Sequence, residues 1–133
     1  MEFSLTAVLF LMTVLGVMEF GLAVFRYNML SDLAQEGARY ATVRGSGAGA
    51  IAATESDIGA FVSARAVGIG TTTKVFSVDA TTKACTTTEV DPSALNSGSG
   101  VCVQVAHTFT PVTAIVPLGS ITLSSTAQMI MAR

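Results

Sequence analysis

The side chains that could perform catalysis in this chain are few and far apart. His107 is the only histidine, and we interpret it as a structural residue on an apolar strand. Serine and threonine are abundant, but no Gly-x-Ser-x-Gly elbow or acidic pair accompanies His107. The glycine-rich stretch 45–50 does not sit between a strand and a helix, as a phosphate-binding turn does. We therefore expect no enzyme and no cofactor.

Cys85 and Cys102 are the only cysteines. They form no Cys-x-x-Cys motif, and with His107 they are too few to complete a zinc site. A disulfide between them would close a loop of roughly 18 residues and stabilise a small domain by about 3 kcal/mol. It would also require an oxidising compartment. Two buried free thiols are the alternative.

The overall composition argues against a freely soluble monomer. Charged residues make up 12% of the chain and apolar residues 50%, whereas soluble domains carry roughly 25% charged residues. The net charge is -2 and the basic residues are scattered, so the chain lacks the basic surface that a nucleic-acid partner requires.

The N-terminal segment is long and apolar. From Phe3 to Phe25 only Glu19 is charged, and about 23 residues are enough to cross a bilayer core. A cleavable secretory signal would be shorter, with a basic start and a small-residue cleavage site. Membrane-inserted chains usually carry basic residues on the cytoplasmic flank. We therefore expect the precursor to have had a short basic leader before Met1.

The helical pattern continues beyond this segment. Apolar and small residues recur there at spacings of three and four: Phe25, Met29, Leu30, Leu33, Ala34, Gly37, Tyr40 and Ala41. Glu36 and Arg39 are three residues apart and are predicted to pair weakly. The helix should end near Val43 or Arg44, before glycines that favour a helix C-terminus. At about 65 Å, such a helix is too long for a small head domain to bury.

We expect an α+β chain with three parts: a helix at about 1–44, a Gly/Ala-rich flexible joint at 45–53, and a head at 54–133. Thr54 is a predicted N-cap for one short helix in the head. Alternating residues predict strands at 74–79, 101–109 and 121–130. These strands would form an antiparallel sheet.

Several residues of the long helix are candidates for helix packing. Glu19 would be costly in lipid, which suggests a bond to another copy, with Arg26 as a candidate partner, or a protonated or snorkelling carboxyl at the outer membrane boundary. Glu2 is suited either to assembly or to stabilising the helix start. Gly16 and Gly21 do not form a Gly-x-x-x-Gly motif. They are interpreted as sites of close helix approach, as a local unwinding of the helix, or as tolerated glycines.

Three motifs in the helix resemble the TadE-like family, pilin-like proteins of the tight-adherence branch of type IV pili. They are Met1-Glu2-Phe3, Gly16-Val17-Met18-Glu19-Phe20-Gly21 and Gln35-Glu36-Gly37-Ala38-Arg39-Tyr40-Ala41. The strand ending in His107-Thr108-Phe109-Thr110-Pro111 and the closing strand with Ile121-Thr122-Leu123 are similar to the family as well. Gln35 stands where the family pattern has an arginine.

The resemblance implies a prepilin inserted in the inner membrane, cleaved after a glycine by a prepilin peptidase, and assembled by helix packing. Glu2 then matches the glutamate that is thought to neutralise the N-terminal amine of a neighbouring subunit. Phe3, Gly16, Glu19, Phe20, Gly21 and Arg26 become candidate assembly residues.

These observations predict a structural pilin that forms an extracellular pilus for adhesion. Its partners would be copies of itself, the inner-membrane assembly machinery and other pilins. The alternative is a single-span, membrane-anchored minor pilin or assembly protein that stays outside the filament body.

Overall fold

A computed structural model describes residues 2–45, 52–111 and 119–131. Within these ranges the chain has two α-helices, a 3-10 turn at Pro92–Ala94 and a four-stranded sheet. The helices are α1 (Glu2–Val43) and α2 (Glu55–Arg65), and the strands are β1 (Thr72–Val78), β2 (Cys85–Glu89), β3 (Gly100–Phe109) and β4 (Ile121–Ile130). The predicted α+β class is confirmed.

Helix α1 runs for 42 residues, which corresponds to about 63 Å. It contains no proline and ends at Val43, as the glycines after it predicted. The Ala53 N–H donates to the Arg44 carbonyl at 2.7 Å, so the chain returns to the end of α1 before α2 begins. Residues 46–51 of the predicted joint lie outside the described residues.

Helix α2 begins with a capping box. The Thr54 hydroxyl accepts from the Asp57 backbone N–H at 3.4 Å, and the Asp57 carboxylate accepts from the Thr54 N–H at 2.9 Å. The Thr54 hydroxyl also donates to the Asp57 carboxylate at 2.8 Å. The backbone and hydroxyl bonds that Thr54 donates to this carboxylate hold the pKa of Asp57 below its ordinary value. The predicted N-cap is confirmed.

The strands form one antiparallel sheet in the order β2-β1-β3-β4. Strands β3 and β4 pair along their whole length, from Gly100 opposite Ile130 to Phe109 opposite Ile121. A disulfide between Cys85 and Cys102, with Cα atoms 5.9 Å apart, links β2 to β3. Of the two alternatives for the cysteines, the structure has the disulfide.

The core of the head includes the second half of α1. This half packs on β3 and β4 and also contacts α2. Gly37 lies at a close approach of α1 to the head, where a Cβ atom would be 3.1 Å from Val62 and 3.3 Å from Val103. The buried apolar residues are Leu30, Leu33, Ala34, Ala38 and Ala41 of α1, Ala53 before α2, Ile58 and Val62 of α2, and Val75, Val101, Cys102, Val103, Val105, Phe109 and Met131 of the sheet and its flank. The head therefore folds around part of the long helix.

Candidate assembly interface on the N-terminal helix

The first half of α1, residues 3–25, is apolar and exposed. Phe3 is 87% exposed, Val17 73% and Phe20 71%. The consecutive residues 8–12 are all exposed as well. Because successive helical residues point about 100° apart, five in a row encircle the helix. At residues 8–12 the helix therefore presents apolar side chains in every direction.

A helix that is apolar all round requires an apolar environment on all sides. Helix α1 is long and apolar enough to cross a membrane, with a mean hydropathy of 2.3 in its most apolar window and none of that window buried. The exposed half alone spans about 35 Å, close to the roughly 30 Å of a bilayer core. Lipid or several other apolar helices could cover it.

An apolar pocket lies where the exposed half of α1 reaches the head. Its volume is about 330 Å³. It is lined by Gly16, Glu19, Phe20 and Ala23 of α1 and by Phe109, Pro111, Ile121 and Leu123 at the adjoining end of the sheet. Three of the predicted packing residues, Gly16, Glu19 and Phe20, thus share one pocket.

Arg26 links α1 to the sheet. It lies one to two helical turns beyond the α1 residues of this pocket. Its guanidinium lies 3.2 Å from His107 Nε2 and 5.2 Å from the centre of the Phe109 ring. His107 Nδ1 is 2.7 Å from the Gly70 carbonyl, which accepts only a hydrogen bond. Nδ1 is therefore the donor, and Nε2 accepts from Arg26 in the neutral ring. His107 has the structural contacts predicted for it, and Arg26 contacts its own head.

The other predicted packing residues are more dispersed. Phe3 lies near the exposed end of α1, and a Cβ at Gly21 would meet nothing within 4 Å. The same is true of Gly16, so neither glycine marks a close approach within the chain. Glu2 is the first residue of α1, and its side chain lies outside the described atoms.

The second half of α1 is also joined to α2 on the surface. The Glu36 carboxylate lies 3.0 Å from Arg65, so it does not make the predicted pair with Arg39. The Arg65 guanidinium lies 3.9 Å from the centre of the Phe61 ring, and that ring stacks on Tyr40 at 4.3 Å. Arg65 of α2 is therefore the ion-pair partner of Glu36, in place of Arg39 of the same helix.

Sequence reasoning missed the sheet side of the pocket. Phe109, Ile121 and Leu123 come together because β3 ends and β4 begins at the same edge, with Phe109 paired to Ile121. Phe109 and Ile121 end and begin two predicted strands, so hairpin pairing was the available signal. Their approach to Glu19 and Phe20 depends on how the helix crosses the sheet, which periodicity does not specify.

The family model described as TadE-like protein matches residues 1–39. The N-terminal helix is TadE-like. The match confirms the resemblance seen in the helix motifs, and it ends within α1, so the resemblance of the strands to the family stays a prediction. No curated protein and no solved structure matches the chain.

The TadE-like segment contains the whole exposed half of α1 and most of the half that packs in the head. The exposed apolar helix fits anchoring in a membrane. The same segment thus carries both the family signature and the uncovered apolar surface.

Proposed function

We propose that this TadE-like protein is a structural pilin, which polymerises through α1 into an extracellular Tad-like type IV pilus used for surface attachment. The observation that carries this proposal is the uncovered apolar half of α1, whose residues 8–12 are exposed around the full circumference of the helix. In a filament, several copies of the same helix surround each other. Contacts of this head-to-tail kind do not close, and so they propagate into a fibre.

The contacts between the helix and the head support a subunit that transmits tension along a filament. The second half of α1 lies in the head core, and Arg26 bonds to His107 where the helix leaves the sheet. A pull on the exposed half is therefore transmitted directly to the sheet. The Cys85–Cys102 disulfide adds a covalent link within that sheet, which suits the oxidising space outside the cytoplasm.

In the proposed assembly pathway, the chain is first inserted in the inner membrane. The exposed half of α1 spans the bilayer in the precursor, a prepilin peptidase removes a leader, and the assembly machinery transfers the helix from lipid into the filament. Other pilins can join at the same helix surface. The described head residues are proposed to have no catalytic role, and no nucleic acid or cofactor is required.

A second candidate is a membrane-anchored minor pilin or assembly protein outside the filament body. The length of the exposed half favours it, since about 35 Å of apolar helix matches one bilayer span. In this case lipid remains the permanent cover of the helix, and the head acts at the membrane surface.

Electron microscopy of filaments sheared from the producing cells, with mass spectrometry of their subunits, distinguishes the two candidates. A structural pilin would be the dominant chain in the fibres, and its deletion would remove them. Fibres that form without this chain, while it stays in the inner membrane, would reject the structural role and support the anchored one.

A further inference from the structure

The sheet has one face against α1 and a second face that points away from it. Val103 lies beside Gly37 of α1, and Val75 is paired with Val103 on the same side of the sheet. Side chains alternate between the two faces along a strand. Gln104, which follows Val103, and Phe76, which follows Val75, therefore point away from α1. We call this side of the sheet the outer face.

An open cleft lies on the outer face. Its volume is about 330 Å³, and all four strands contribute to it. The lining residues, which together we call the outer cleft, are Phe76 of β1, Cys85, Thr86 and Thr87 of β2, Gln104 of β3 and Thr126 of β4. The Cys85–Cys102 disulfide links β2 to β3 at this point. The outer cleft is therefore built on paired strands that a covalent bond holds together.

Phe76 gives the outer cleft an aromatic ring. The described strands contain two aromatic residues, Phe76 and Phe109. Phe109 lies on the α1 side, where the Arg26 guanidinium covers its ring, so Phe76 is the only aromatic residue that these strands place on the outer face. Phe76 is half-buried, which leaves part of its ring accessible in the cleft. Such a ring can stack against a flat apolar surface of a ligand.

The remaining side chains of the outer cleft include uncharged hydrogen-bonding groups. Those of Gln104, Thr87 and Thr126 make no side-chain hydrogen bond in the part of the chain that the structure describes. An amide and a hydroxyl can each donate and accept. Lys74 and Glu89 are paired across the strands with Gln104 and Phe76, but they neutralise each other in an ion pair. The outer cleft therefore favours a neutral ligand over a charged one.

A neutral sugar chain matches both parts of the outer cleft. A pyranose ring has an apolar C–H face, which can stack on an aromatic ring, and hydroxyls at its rim, which can bond to amides and hydroxyls. Small-ligand sites combine apolar contacts with a few polar groups that fix orientation, in volumes of roughly 300–1,000 Å³. Because the cleft is open, a polymer can extend beyond it across the sheet.

The position of the outer face in the proposed filament fits this ligand. Helix α1 packs on the opposite face of the sheet, and the proposed filament has α1 in its core. The outer face then points away from the filament axis. It is therefore the side of the head that meets the surface to which a pilus attaches.

We propose that the outer cleft binds a neutral polysaccharide on the surface to which the pilus attaches. Phe76 stacks on a sugar ring, and Gln104 and Thr126 bond to its hydroxyls. This inference rests on the proposed function, which orients the cleft outward, and it adds the chemical class of the attachment target.

A tryptophan reporter tests the site directly. The chain has no tryptophan, so F76W places a single fluorescent ring in the outer cleft. The full chain, in a detergent without a sugar headgroup, is titrated with dextran, arabinogalactan and hydroxyethyl cellulose, which are neutral, and with heparin, which is anionic. We expect the fluorescence to change with at least one neutral polysaccharide. T122W, at an exposed position of the outer face away from the cleft, is the matched control and should not respond.

Affinity for the polysaccharide that responds tests the individual contacts. F76L keeps an apolar side chain but removes the ring, and Q104A removes the amide. Each should weaken retention on beads of that polysaccharide by about threefold to tenfold, whereas F76W and T122A should bind like the wild type. Circular dichroism checks the fold of each variant, and Q104A decides the test if F76L is unfolded.

Several outcomes would overturn the proposal. They are a lack of response of F76W to all three neutral polysaccharides, a response to heparin alone, and unchanged retention of both F76L and Q104A. A fluorescence change that follows the concentration of the chain itself, without polysaccharide, would make the outer face a contact between copies and would overturn it as well.

The binding measurements do not require a filament, so they separate this site from the proposed function. Polysaccharide binding by a chain that is absent from every pilus would support the site and reject the structural pilin. Filaments that contain the chain, together with an F76W variant that does not respond, would reject the site and leave the structural pilin standing.

Discussion

The two halves of α1 belong to one uninterrupted helix but have opposite surroundings. In the second half, small residues such as Ala34, Gly37 and Ala38 face the sheet and are buried. In the first half, large residues such as Phe10 and Leu11 face outward at 66% and 57% exposure. Small side chains let α1 approach its own head closely, whereas large apolar ones require a partner from outside the chain.

This contrast assigns a separate task to each half. The second half stabilises the head, and the first half contributes apolar surface that the head does not cover. Substitutions in the two halves should therefore affect different measurements. Stability of the folded head should respond to the second half, and insertion and assembly should respond to the first.

The largest effect on stability is expected from L30A. Leu30 is 0% exposed, and removing a buried leucine side chain costs about 2–5 kcal/mol. V17A is the matched control, because Val17 is 73% exposed, and it should change the free energy of unfolding very little. Denaturant titration of the full chain in mild detergent, followed by circular dichroism, measures both. Equal losses of unfolding free energy in L30A and V17A would show that the two halves of α1 contribute alike to the stability of the head.

L11R should impair insertion and assembly while leaving the head intact. An arginine near the bilayer centre costs about 2.5–3.5 kcal/mol, which corresponds to roughly a hundredfold loss. A64R, on the exposed side of α2, is the control and should leave membrane and filament fractions unchanged. Immunoblots of these fractions provide the readout. A normal filament yield from L11R would show that the exposed half is not packed in the fibre.

G37V should destabilise the head by overpacking. A Cβ at Gly37 already lies 3.1 Å from Val62 and 3.3 Å from Val103, and extra core atoms typically cost about 1–3 kcal/mol. G16A makes the matched comparison, because its Cβ would meet nothing within 4 Å. G16A should leave the unfolding free energy of the head unchanged. The prediction fails if G37V unfolds at the same denaturant concentration as the wild type.

R26A tests the point where the two halves meet. It removes the bond to His107 and the contact with the Phe109 ring. The expected loss is about 1–2 kcal/mol in unfolding free energy. R39A is the control, since Arg39 makes no side-chain hydrogen bond or ion pair within the described residues. Similar unfolding curves for R26A and R39A would show that the His107 contact adds no stability.

The smallest effect concerns pH. Thr54 lowers the pKa of Asp57 below 3.8 in the folded chain, so the folded state binds that proton less tightly than the unfolded state does. The resulting stability is present at neutral pH and is lost as the pH falls below 3.8 and through the lowered pKa. We expect the melting temperature to fall less between about pH 6 and about pH 3 for D57N than for the wild type. Part of this decrease should remain in both proteins, because Thr82 and Thr81 also lower the pKa of Asp79.

Local sequence patterns were sufficient for much of the fold. The apolar spacing after Phe25 predicted the buried side of α1 from Leu30 to Ala41, and Thr54 predicted the start of α2. Phe25 itself was wrongly placed on that side, since it is 60% exposed. It shares the face of Asp32 and Arg39 instead.

The features that were missed depend on long-range contacts. Strand β2, Cys85–Glu89, is mostly threonine and lacks the apolar alternation that identifies a half-buried strand. It is held by pairing with β1, by the ion pair of Lys74 with Glu89, and by the disulfide to Cys102. The packing pocket likewise joins Phe20 to residues about a hundred positions later, and no local pattern encodes that approach.

Electron cryo-microscopy of filaments sheared from the producing cells tests the central claim most directly. We expect the first half of α1 at the filament axis, surrounded by parallel copies of the same helix, with the sheets of the heads outside. A filament core built from another chain, with this protein absent or attached only at one end, would contradict the claim.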